Sequence, residues 1–208
     1  MTFKQINLQT WERKERYEHF MHEVICSYAT TVELDITNLK GLRLYPTLLY
    51  LLTKSVNDLV QFRTSLFNDQ PIIFDQMHPA YTIFNKETKQ FSNIWTSFSN
   101  DYQTFVNSYE NDVVRYQDCT SFSPKPDRPF NTFDVSMIPW LNFTSFNLQV
   151  INDGKYLLPI FTIGKYQDIG NKRIIPLAIQ VHHAVCDGYH VAAFVNTLQE
   201  YIDNFPSN

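Results

Sequence analysis

His182, His183, Cys186 and Asp187 lie within six positions of one another, at the end of the apolar run IIPLAIQV and just before Gly188. A histidine with a carboxylate four residues on can act as a general base, and a neighbouring thiol can act as a nucleophile. Read as a strand, the run alternates with period two. Ile175, Leu177, Ile179, Val181 and His183 then share one face, and Pro176, Ala178, Gln180 and His182 the other. The first face is apolar up to its last residue, so this pattern desolvates His183, while His182 shares the more polar face with Gln180. Burial favours the neutral imidazole, which is the form a base must have.

The residues alone leave rival readings open. Adjacent strand residues point to opposite faces, so His182 and His183 could not easily share an ion, and no metal is expected. Cys186 with His183 could be a thiol and its base, since spacing does not decide where Cys186 points. A satisfied core histidine at a strand end is the plain structural reading. Gly188 permits a tight turn. A helix can leave that turn, because Val191, Phe194, Val195, Leu198, Tyr201 and Ile202 recur at helical spacing.

At 208 residues, 44% hydrophobic, the chain fits one globular domain, 1–208. Its 17 Phe and 12 Tyr suit either a heavy aromatic core or pockets for flat, apolar ligands. A net charge of -4 without a basic run gives no footprint for nucleic acid. The first residues lack an apolar signal core, and no run is long enough to span a membrane, so a cytoplasmic protein is expected. Cys26, Cys119 and Cys186 are odd in number and lack metal spacing, which fits a reducing compartment.

Thr10 can cap a first helix over 11–22 that holds Arg13 in its first turn, and His19 and His22 read as surface residues. A strand over 24–36 follows, with Asp35 or Thr37 as cap of a short helix. A longer helix begins at Pro46 and runs toward Leu59. Short strands are expected over 72–75, 80–85 and 91–95, and a helix over 101–116. Three prolines make 121–132 a loop, and Ser145 falls in a further strand.

Several of these stretches resemble one family. HHAVCDG fits the HHxxxDG motif of coenzyme A dependent acyltransferases, and QVHHAVCDGYHV is similar to the corresponding segment of chloramphenicol acetyltransferases. WERKERYEHF, FDVSMIPWLNFTSFNLQV and LPIFTIGKY resemble that family too, so the likeness covers nearly the whole chain. It implies an α+β, two-layer sandwich of the coenzyme A dependent acyltransferase fold, a mixed sheet covered by helices. It also implies transfer of an acetyl group from acetyl-CoA to a primary hydroxyl of chloramphenicol, which confers resistance to the antibiotic.

In that likeness His183 is the base, its ring nitrogen bonded to its own carbonyl, and Ser145 stabilises the oxyanion. Arg13 is buried and paired with Asp187. Phe20, Cys26, Tyr28 and Thr162 fall on the antibiotic side, with Phe20 where some members have tyrosine. Arg43, Lys165 and Tyr166 fall near the coenzyme. The chain is several residues shorter than the family between Thr37 and Tyr45. The resemblance further implies a homotrimer with active sites between subunits. Two alternatives stand beside it: an acyltransferase core acting on a lipoyl or carrier thiol, disfavoured because no such domain precedes the core, and a trimeric binding protein without turnover.

Overall fold

The structure is a computed structural model that describes residues 2–150 and 152–206. Strand β1 (Phe3–Gln5) precedes helix α1 (Lys14–Glu18), which widens into a π-helical turn (His19–Glu23). Strand β2 (Ser27–Asp35), a 3-10 turn (Thr37–Leu39), helix α2 (Leu44–Asp58) and a second 3-10 turn (Val60–Arg63) follow. Next come β3 (Thr64–Phe67), β4 (Gln70–Phe74), β5 (His78–Asn85), β6 (Gln90–Trp95) and helix α3 (Tyr102–Tyr116). Strands β7 (Thr132–Met137), β8 (Ile160–Ile163), β9 (Gln167–Ile169) and β10 (Lys172–His182) lead to helix α4 (Gly188–Asp203).

The main sheet has the order β2-β10-β8-β7-β5-β6, with β9 paired to the start of β10; β1, β4 and β3 form a separate small sheet. Strand β7 runs parallel to β5 and β8, while the other pairs are antiparallel, so the sheet is mixed and the class α+β. Helix α4 buries Val191, Phe194, Leu198 and Ile202, an i, i+3, i+7 stripe. Phe194 stacks on Phe62 at 4.5 Å and on Phe161 of β8 at 5.2 Å, docking the helix on the apolar face of the sheet.

The period-two reading of β10 holds for its apolar face, where Ile175, Leu177, Ile179 and Val181 are buried. The opposite face is buried as well, including Ala178, Gln180 and His182. Strand β10 lies between β2 and β8, and the segment 138–146 passes over its second face. Phe146 donates its N–H to Thr31 Oγ1 at 3.2 Å, and Thr31 is the β2 partner of Ala178. Among its described residues, the stretch 138–159 forms no strand, so Ser145 sits in an exposed irregular segment and not in the expected strand. Ile138 N–H still pairs with Ile163 O at the end of β8, Leu141 N–H then closes a turn on Ile138 O, and Phe146 N–H goes to a hydroxyl instead of a strand carbonyl.

Other boundaries shift for local reasons. The first helix starts at Lys14, because residues 8–13 curl into turns (Thr10 N–H to Asn7 O, Lys14 N–H to Trp11 O). Thr10 therefore caps nothing, and Arg13 stands at the N-cap with its side chain free to leave the helix. Helix α2 starts two residues before Pro46, which is tolerated in a first turn whose N–H groups have no helical partner. Asp101 caps α3 through the Thr104 N–H at 2.8 Å.

Gly164 ends β8 where the 138–146 segment presses closest. A Cβ at this position would lie 2.7 Å from Pro176, 2.8 Å from Phe143 and 3.0 Å from the Leu141 carbonyl. The same carbonyl accepts the Lys165 N–H at 2.8 Å. Gly164→Ala is expected to lower stability by about 1–3 kcal/mol through overpacking, read as a lower urea midpoint. An unchanged midpoint would show that the segment is not seated on Gly164.

Candidate active site

Strand β10 ends at His182, and the chain then turns sharply: the His182 carbonyl accepts the N–H groups of Val185 at 3.1 Å and Cys186 at 3.0 Å. His183 sits in this turn, beyond the strand, so strand alternation does not set its exposure. The expected roles of the two histidines in burial are reversed. His182 is 1% exposed, and burial lowers its pKa to about 4, whereas the His183 side chain is 32% exposed. The Nδ1 of His183 is sealed from solvent, so the exposure of the ring falls on its Nε2 edge.

The His183 backbone is held on both sides. Its N–H donates to Cys26 O at 2.8 Å, extending the β2–β10 pairing, and its carbonyl accepts from Arg13 Nη2 at 2.8 Å. The expected bond from the ring to its own carbonyl is absent. That oxygen is occupied by Arg13, and Nδ1 makes no hydrogen bond among the described residues, although Asp187 Oδ1 lies 3.1 Å away. The ring stacks on Phe20, with centroids 4.2 Å apart and planes 6° from parallel, and Tyr28 flanks it at 5.2 Å.

Arg13 organises the whole turn. Nη1 and Nη2 grip the two Asp187 oxygens at 2.6 and 2.7 Å, and Nε donates to the Ala184 carbonyl at 2.8 Å. These bonds hold the Asp187 carboxyl below the usual carboxylate range. Asp187 is also the N-cap of α4, and His190 Nδ1 accepts its backbone N–H at 2.9 Å. The spacing of Asp187 and His190 is that of an N-cap and the third helical residue, a signal present in the sequence and overlooked there.

Cys186 is buried, and burial pushes its thiol up to about 12. At neutral pH almost none of it is thiolate, so the thiol-nucleophile reading loses its reactive species. Among the described residues, no group of three or more His, Cys, Asp or Glu side chains is placed to hold a metal ion.

Within one chain the structure brings together Arg13, Phe20, Cys26, Tyr28, His183 and Asp187. It does not bring the remaining candidates to them. Ser145 is exposed on the irregular segment and makes no hydrogen bond to His183. Thr162 is buried on β8 opposite Ala178. Arg43 pairs with Glu110 at the wall of a cleft of about 770 Å3 between α2, α3 and the end of α4. Lys165 is exposed, and Tyr166 lies under the Arg173 guanidinium at 4.2 Å. A groove of about 580 Å3 opens beside Tyr28 and Gly188, between edge strand β2 and α4.

A family model described as chloramphenicol acetyltransferase matches residues 1–199. The chain belongs to the chloramphenicol acetyltransferase family. It is 44% identical over 212 residues to a chloramphenicol acetyltransferase of Clostridium perfringens, covering 99% of this chain and 97% of that one. A chloramphenicol acetyltransferase of Campylobacter coli is 48% identical over 206 residues, covering 98% of this chain and 100% of its own. A solved chloramphenicol acetyltransferase superposes with a TM-score of 0.89 at 21% identity, over 97% of this chain and 100% of that structure. The cubic core of the pyruvate dehydrogenase multienzyme complex superposes at 0.60 with 16% identity, over 86% and 82%. At those identities the structural likeness concerns the fold, that of coenzyme A dependent acyltransferases.

The buried, neutral His182 has a consequence for acid stability. Below its ordinary value of 6.5 the unfolded chain binds a proton that folded His182 refuses until about pH 4. Stability is therefore complete above pH 6.5 and falls as pH drops toward 4, by up to ~3 kcal/mol. Urea midpoints at pH 7.5 and 5 should show a smaller loss for His182→Asn than for the parent chain. Equal losses would mean that His182 titrates normally in the folded state.

Proposed function

We propose that this chain acetylates a primary hydroxyl of chloramphenicol with acetyl-CoA as co-substrate, inactivating the antibiotic, with His183 as the general base. The observation that carries this reading is the His183 ring, pinned through its backbone and stacked on Phe20 yet open at Nε2, in a chain 44% to 48% identical to chloramphenicol acetyltransferases along its length.

Nε2 takes the hydroxyl proton as the substrate oxygen attacks the thioester carbonyl carbon. The carbonyl pair moves to oxygen, and the Ser145 hydroxyl donates to that oxyanion. When the intermediate collapses, the C–S bond breaks, and the proton returns from His183 to the departing coenzyme sulfur. No covalent enzyme intermediate is needed, in keeping with a Cys186 thiol raised to about 12. Phe20, Cys26, Tyr28 and Thr162 are assigned to the antibiotic side, and Arg43, Lys165 and Tyr166 to the coenzyme. Asp187 and Arg13 orient the turn.

The separation of Ser145 from His183 within the chain supports an active site between copies. In a homotrimer the neighbour's exposed segment, with its Ser145, would close over His183. Among the described residues no helix is long and apolar enough to cross a membrane, and we take 1–208 as one cytoplasmic domain.

Thiol release from acetyl-CoA should require both the acceptor hydroxyl and His183. A 3-deoxy analogue and His183→Ala should each abolish it, Ser145→Ala should cost ~10²–10³ in kcat, and Cys186→Ala should stay active. Release with the analogue, or loss with Cys186→Ala alone, would overturn the mechanism.

A second measurement addresses the assembly. Mixing the inactive His183→Ala and the strongly impaired Ser145→Ala chains under conditions that exchange subunits should restore about one quarter of the activity, the statistical share of intact interfaces in mixed trimers. No recovery, from chains shown to have exchanged, would place the whole site within one chain.

A further inference from the structure

The first histidine of the motif has no part in the proton transfer, yet its surroundings give it a specific task. His182 Nδ1 accepts the N–H of Ala184 at 3.1 Å, and its carbonyl accepts those of Val185 and Cys186. Three consecutive amides therefore end on this one residue, and they enclose His183. The Ala184 peptide is itself sealed: the residue is 0% exposed, and its carbonyl is taken by Arg13 Nε.

The tautomer follows from this geometry. A nitrogen that accepts a backbone N–H carries no proton, so the ring hydrogen is on Nε2. That nitrogen is buried and finds no acceptor among the described residues. A buried donor without a partner is unfavourable, and an apolar side chain would fill the same space without one. The ring is thus poorly explained as packing and well explained by its Nδ1. Burial and the neighbouring His183 keep it neutral near pH 7, with that acceptor available.

We propose that His182 is a positioning residue for the acetyl transfer, whose Nδ1 holds the Ala184 amide and so fixes the turn in which His183 presents its Nε2. This rests on the reading of His183 as the base. Other turns could follow a strand end with a glycine nearby. Here the amide after His183 is tied to the side chain before it, so the base cannot swing without breaking a buried bond.

The isosteric relation of histidine to the two amides provides the test. Asparagine places Oδ1 where Nδ1 stands, whereas glutamine reaches the position of Nε2 and leaves the Ala184 amide unpaired. His182→Asn should keep kcat within about threefold of the parent, while His182→Gln and His182→Ala should lose ~10- to 100-fold in kcat with KM little changed.

Hydrogen exchange of the peptide containing Ala184, followed by mass spectrometry, should be faster for the Gln and Ala variants and near the parent rate for Asn. Thermal unfolding checks that the variants are folded, and should the Ala variant not fold, the Asn and Gln pair decides. Asn falling as far as Gln, or all variants retaining kcat, would overturn the proposal. A parent protein without turnover would instead remove the acetyltransferase reading. The exchange pattern alone then decides whether His182 holds the turn.

Discussion

The guanidinium of Arg13 is the contact on which the rest of the site depends. It makes four hydrogen bonds, two to the Asp187 carboxylate and one each to the carbonyls of His183 and Ala184. The first helix is thereby joined to the turn between β10 and α4, at a separation of 174 residues along the chain. Such a pair adds little net stability over an apolar alternative, because both charges must be partly desolvated. Its value is geometric. A planar fork reads a carboxylate and two carbonyls at once, which a lysine could not do.

The base proposed at His183 must satisfy opposing demands. The imidazole has to be fixed to a fraction of an ångström, yet one nitrogen must remain open to substrate. Here the backbone of His183 is immobilised by Cys26 and Arg13, and its ring by stacking on Phe20. None of these contacts uses Nε2. The neighbouring groups that could compete are silenced by burial: His182 stays neutral, and the Cys186 thiol stays protonated.

The same sheet that fixes His183 leaves other candidates elsewhere. Strand β2 is the edge of the main sheet, and His183 lies beside its first residues with its side chain partly exposed. Ser145 lies on a segment that crosses the second face of the sheet, anchored through Thr31, Gly164 and Lys165. An imidazole open on one side and an exposed hydroxyl on another are the complementary halves that the proposed ring of copies could join. This is the physical content of the proposed interface site.

Much of this was legible in residue order. Local patterns placed α3, the apolar stripe of α4, several short strands and the proline-rich loop, because each depends on near neighbours and on side-chain period. The motif around His183 and its partner Arg13 came from resemblance to a family, since no local rule links residues 174 apart. The misreading of the two histidines has one cause. Alternation along β10 predicts faces only while the strand lasts and only if one face is uncovered. The chain turns at His182 and both faces of β10 are buried, so the buried histidine was the other one. The sequence by itself determined most of the helices and several strands of the main sheet, the chemistry of the side chains and the family. Tertiary structure decided which histidine is buried and which candidates meet within one chain, because burial and hydrogen bonding depend on packing between segments distant in sequence.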